Sequence, residues 1–118
     1  MNTKAKILVF DGHNDTILSH YMPGAKARPF FEKSDKGHFD IPRAIEGGFA
    51  GGFFAIFPPP EDHIDFKNMS TDEVLKIMGE PLSSSHSEKY GHLGIKTLHD
   101  LAKNSEGKFV IVTSVNDI

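Results

Sequence analysis

Two short runs of consecutive apolar residues stand out along the chain, Ile7 to Phe10 and Phe53 to Phe57. An unbroken apolar run bounded by turn-formers predicts a strand covered on both faces. The first strand is expected over Lys6 to Phe10, running into the polar turn Asp11-Gly12-His13-Asn14-Asp15. The second is expected over Gly51 to Phe57, where Pro58-Pro59-Pro60 stops it because proline cannot donate to a ladder. Between them, Pro23, Gly24 and Pro29 mark an irregular region. Ile41 to Glu46 then reads as a turn and a half of helix with Pro42 near its start.

The second half carries helix signals. Ser70-Thr71-Asp72-Glu73 is a capping box, followed by the apolar stripe Val74, Leu75, Met78 and the stop signals Gly79 and Pro81. A second box, Ser85 to Glu88, predicts a further helix in which Tyr90, Leu93, Thr97, Leu98, Leu101 and Ala102 recur at helical spacing. Gly91 and Gly94 interrupt that pattern, and Gly107 terminates it. Lys108 to Val112 is a third strand-like piece. Ser114 to Asp117 reads as the lead into another helix, capped by Ser114 or Asn116, so the chain reads as one cut short. Residues 1–118 are thus expected to form a single partial domain, with a loop and short-helix insertion over 58–87.

Composition narrows the chemistry. The 118 residues are 38% hydrophobic, enough for one modest core. There is no cysteine, so disulfides and thiolate metal sites are excluded and any metal must be held by His, Asp or Glu. The net charge of -3 and the scattered cations carry no nucleic-acid footprint. The apolar run after Met1 to Lys6 is shorter than the roughly 7–15 residues of a signal peptide. It is shorter still than the about 20 of a membrane helix. A cytoplasmic protein without a membrane segment is the resulting expectation.

The segment of chemical interest is His13-Asn14-Asp15. In extended backbone, residues two apart share a face, so His13, Asp15 and Asp11 project together. An imidazole nitrogen and a carboxylate oxygen are suitable zinc ligands. Gly12 supplies a position where the backbone bends or closely approaches another element. The same residues also read as a polar turn in which Asp11 or Asp15 accepts backbone amides. The glycines at 47, 48, 51 and 52 match neither a dinucleotide fingerprint nor a phosphate-binding loop, and are better explained by tight packing into the strand. Asp40 and Arg43 are spaced to pair, near the site or, as is more common, in a surface or cap interaction of small energy.

Phe10-Asp11-Gly12-His13-Asn14-Asp15 resembles the opening signature of the membrane (renal) dipeptidase family. Phe39-Asp40-Ile41-Pro42-Arg43, continuing through the Gly-rich run to Phe57, is similar to that family's second block. The resemblance covers Ile7 to Phe57 and fades after Pro58. It implies an α/β fold, the N-terminal portion of a (β/α)8 barrel of the amidohydrolase kind. It implies two zinc ions in the complete site and a dipeptide substrate. His13 and Asp15 match ligands of one zinc, with Asp11 beside them in supporting position. The bridging Glu and the later His ligands have no counterpart here, so catalytic residues stay unassigned and the zinc site is at most partial. His63, His86, His92 and His99 read as solvated or helix-surface histidines.

A barrel of this kind needs roughly 250 residues. A chain with two or three of its strands leaves edges open to self-association or to a partner. Activity from these residues alone is not expected. Two other functions fit the same residues. One is a non-catalytic α/β module acting through binding or assembly. The other is an amidohydrolase acting on an acylated amine or lactam.

Overall fold

A computed structural model describes residues 7–62, 64 and 66–117 of the chain. Lys6, at the start of the first expected strand, and His63 lie outside the described residues. In chain order the elements are β1 (Val9–Asn14), α1 (Leu18–Tyr21), α2 (Ile41–Gly47), β2 (Phe49–Phe54), α3 (Thr71–Met78) and α4 (Ser84–Asn104). Short 3-10 turns lie at Phe66–Asn68 and Val115–Asp117.

β1 and β2 pair in parallel, with Val9 opposite Phe49, Phe10 opposite Gly51, Asp11 opposite Gly52 and Asn14 opposite Phe54. The ladder is irregular between Val9 and Phe10 and again between Asp11 and Asn14. The second irregularity falls on Gly12 and His13, so the strand bends where the polar motif begins. Gly52 suits this pairing, since a Cβ there would lie 3.0 Å from both the Asp11 carbonyl oxygen and the Phe49 ring.

The connection between the strands runs through α1 and α2. Asp40 caps α2, its carboxylate accepting from the Arg43 backbone N–H, and Pro42 occupies the first turn. Gly48 ends α2 in the left-handed conformation, φ +81°, which glycine adopts without a Cβ penalty. The capping box at Ser70 and Glu73 forms with both of its reciprocal bonds and opens α3. α4 opens two residues earlier than the expected second box, with Ser83 in place of Ser85 as its cap, accepting from the His86 N–H.

A small core joins these elements. Ile17, Phe30, Ile41 and Leu101 are buried together, with Phe39, Phe54 and Phe109 packed against them. The rings meet edge to face, Phe30 with Phe109 at 5.3 Å between centroids and Phe54 with Phe109 at 5.2 Å, the geometry aromatic quadrupoles favour.

Three expectations are corrected here. The described residues form no barrel: a two-stranded parallel sheet stands with four helices, a mixed α/β arrangement. Lys108 to Val112 adds no third strand, because Ser105 takes that segment instead. Its hydroxyl bonds the Phe109 backbone N–H and carbonyl at 3.0 and 2.9 Å and turns the chain against the end of α4. Nor are the apolar strands covered on both faces. Ile7, Leu8 and Phe10 are 83%, 71% and 60% exposed, and Phe53 is 67% exposed. Helices and aromatic rings cover one face of the pair, and no described element covers the other. The accessible surface, 9069 Å², compares with about 6,300 Å² for a folded monomer of this mass. The radius of gyration, 17.1 Å, compares with about 13.5 Å for a closed domain of this length.

Gly94 is where α4 meets the chain after β2. A Cβ there would come 2.5 Å from Cγ2 of Ile56, a stiff branched side chain. Gly91, one turn earlier, has open space around its Cβ direction. Gly91→Ala is expected to stabilise the protein by up to about 1 kcal/mol through helix propensity. Gly94→Ala is expected to destabilise it by about 1 kcal/mol, overpacking outweighing the same gain. Paired urea denaturation curves check the opposite signs.

Candidate functional site

The polar motif lies on β1 itself and just beyond it, not after an earlier strand end as the apolar run suggested. Asp11 takes the turn role. Its Oδ1 accepts the His13 backbone N–H at 3.1 Å and its Oδ2 accepts the Asn14 side-chain amide at 3.0 Å. The Asn14 amide first, and then the His13 N–H, hold the Asp11 carboxyl below its ordinary value. Asn14 Oδ1 in turn accepts the Thr16 N–H at 3.0 Å. This ladder of short-range bonds fixes the backbone from Asp11 to Thr16, and Ile17, fully buried, anchors its far end in the core.

His13 and Asp15 are what this scaffold presents. His13 Nε2 and Asp15 Oδ1 lie 3.1 Å apart, with side chains 71% and 60% exposed. In this exposed setting the pair contributes little stability, on the order of 1 kcal/mol or less. Its value is geometric: two different donor types converge on one point open to solvent.

That point opens on a cleft of about 470 Å³ between β1, the segment before α2, and α2. His13, Asp15 and Asp11 line it from the strand side, and Arg28, His38 and Arg43 line it from the other. Asp40 shapes the second wall. It is fully buried and accepts three bonds, from the Ser34 N–H at 3.1 Å, the Arg43 N–H at 2.8 Å and Arg43 Nε at 2.5 Å. Burial alone would raise its pKa, but the Arg43 N–H and guanidinium and the Ser34 N–H outweigh burial and hold it below the ordinary carboxylate value. The Asp40–Arg43 pair is thus the helix cap that the spacing allowed, and not a surface pair, because its carboxylate is fully enclosed.

Arg28 and His38 escaped the sequence reading. The signal for His38 was present: His38-Phe39-Asp40 repeats the His-x-Asp spacing of His13-Asn14-Asp15. The two diverge because Asp40 turns inward to cap a helix, whereas Asp15 stays at the surface beside its histidine. Arg28 reaches the cleft only through the fold of the loop after α1. Among the other histidines, His92 and His99 are exposed on α4. His86 is not merely solvated: its Nε2 lies 2.7 Å from the Pro59 carbonyl oxygen and its ring packs on Tyr90. Among the described residues no group of three or more His, Asp or Glu converges on one point. No helix of the described residues is long and apolar enough to cross a membrane.

A protein of Acinetobacter calcoaceticus described as "Uncharacterized protein in PQQ-III 3'region" is 32% identical to this chain over 117 residues. The match covers 95% of this chain and 35% of the relative, so the chain spans about a third of that protein's length. No family model matches the chain, and no solved structure matches it.

Proposed function

We propose that this chain contributes part of a zinc centre that hydrolyses dipeptides. The observation that carries the reading is the 3.1 Å separation of His13 Nε2 and Asp15 Oδ1. Two ligands bound at about 2.0–2.2 Å in tetrahedral geometry stand a little over 3 Å apart, so donor type and spacing both fit one zinc ion. The resemblance of Phe10 to Asp15 and of Phe39 to Phe57 to the membrane dipeptidase family supports the same reading. Two protein ligands fall short of the three a catalytic zinc site uses, and a relative about three times as long leaves room for the others.

When bound, zinc supplies an acidified water and polarises the scissile carbonyl. The chain's own residues prepare the place. Asp11 and Asn14 hold the backbone so that His13 and Asp15 converge before any ligand arrives. The 3.1 Å contact between His13 Nε2 and Asp15 Oδ1 keeps the two groups side by side.

The test is zinc content after dialysis, by mass spectrometry of the metal, beside hydrolysis of alanyl-alanine. The 118-residue chain is expected to hold at most one weakly bound zinc, lost in both His13→Ala and Asp15→Ala, without turnover. In a polypeptide extended to the relative's length, hydrolysis is expected to be chelator-sensitive. Either substitution there should reduce it by more than about 100-fold, exceeding the loss of an outer partner. Zinc retention unchanged by both substitutions would sink the reading. The exposed apolar sheet face favours a second reading, a non-catalytic assembly module. A stable oligomer with no zinc and no hydrolysis at either length would select it.

A further inference from the structure

We infer that Arg28 and His38 form an oxyanion-binding site on the wall of the cleft opposite His13 and Asp15, taking the carboxylate or phosphate group of a small molecule. Both residues line the cleft, whose volume of about 470 Å³ lies in the range of small-molecule sites. The cations and anions around it differ in their commitments. Arg43 is bound to Asp40, and its Nη2 donates to the Gly37 carbonyl at 3.3 Å. Each oxygen of Asp11 accepts one bond from its own turn, and Asp15 faces His13. Among the described residues the guanidinium of Arg28 and the ring of His38 meet no hydrogen-bonding or charged partner. A guanidinium is a planar fork of donors matched to a two-oxygen acceptor. With no acceptor of the described residues bonded to it, that fork is free for a ligand.

The loop packs directly against Arg28. Gly37 has φ +74°, and a Cβ on it would stand 2.7 Å from Arg28 Cδ and 3.0 Å from its Nη1. Glycine at 37 thus both permits the backbone conformation and lets the arginine stem lie directly against the loop. His38 follows at once, and two residues later the buried Asp40 ties the loop to Ser34 and to α2. The site accordingly sits on anchored backbone, and its geometry does not depend on a metal.

The experiment is titration of the chelator-treated 118-residue chain with sodium acetate, N-acetylglycine and inorganic phosphate, at constant ionic strength, followed by backbone amide shifts in NMR. Saturable shifts at residues 28 and 37–39 are expected. Arg28→Gln should weaken binding at least about 10-fold, the usual worth of a charge-assisted bond. Arg28→Lys, which keeps the charge but not the fork, should weaken it less. Gly37→Ala should weaken it by displacing Arg28, while Lys26→Gln, an exposed cation outside the cleft, should leave it unchanged. Tighter phosphate than carboxylate binding would identify a phosphate group, and the reverse order a carboxylate. Shifts that do not saturate, or an equal loss in Lys26→Gln, would overturn the site. Because zinc is absent throughout, this result stands or falls separately from the metal reading.

Discussion

Asp40→Ala is expected to lower the unfolding free energy by about 3 kcal/mol, the cost of removing one member of a buried pair. Several losses combine. The alanine leaves α2 without its cap, about 1 kcal/mol by itself. It leaves the Ser34 N–H without its acceptor and the Arg43 guanidinium without its carboxylate. Asp40→Asn keeps a capping oxygen and should cost clearly less. The pH dependence has a defined sign. The folded carboxyl is held below its ordinary value of 3.8, so the unfolded chain takes up the proton first as acid is added. Asp40 therefore contributes stability fully above that ordinary value, and the contribution is lost as pH falls through the folded value. Urea curves at pH 7 and pH 3 check both points. The difference between wild type and Asp40→Ala should be large at pH 7 and smaller at pH 3. Asp11, Glu61, Glu73 and Asp117, whose carboxyls are also lowered by local hydrogen bonds, keep some acid sensitivity in the variant.

What the sequence made legible follows from the range of the interactions involved. The box at Ser70 and Glu73, the Pro42 helix start and the pairing of His13 with Asp15 depend on neighbours within a few residues, and such bonds can be read from spacing. The strand ends were misplaced by two to four residues because their extent is set by pairing. Val9 bonds to the Gly48 carbonyl at 2.9 Å, which brings Phe49 into β2 and leaves Phe57 outside it. The third strand was lost for the same reason, since an apolar run becomes a strand only with a partner alongside. The cleft was the least legible part. Arg28, His38 and His13 lie on separate segments, and only the closure of the loop between α1 and α2 brings them to one surface.

Ile17→Ala is expected to cost about 3 kcal/mol, whereas Phe10→Ala should cost under about 1 kcal/mol, the reverse of the order their sequence context suggests. Phe10 belongs to the apolar run read as a buried strand, yet it is 60% exposed, its ring lying beside Gly51 and 5.3 Å from that of Phe53, itself exposed. Ile17 sits in a polar stretch and is 0% exposed, at the centre of a core with few other fully enclosed side chains. So small a core has little to collapse into the space an alanine would leave. Ile17→Val, which removes one methylene, should cost about 1 kcal/mol. The site should register the difference too. Leu18 bonds back to the Asp15 carbonyl at 3.1 Å and His20 to that of Ile17 at 3.0 Å, so Ile17 is the point at which the motif is fastened to the core. Urea denaturation measures the energies, and amide exchange at Asp15 and Thr16 measures the fastening. Faster exchange in Ile17→Ala, with none in Phe10→Ala, would establish that the motif is held in place from the core side of the sheet. Equal protection in both would place its order in the Asp11 and Asn14 bonds alone.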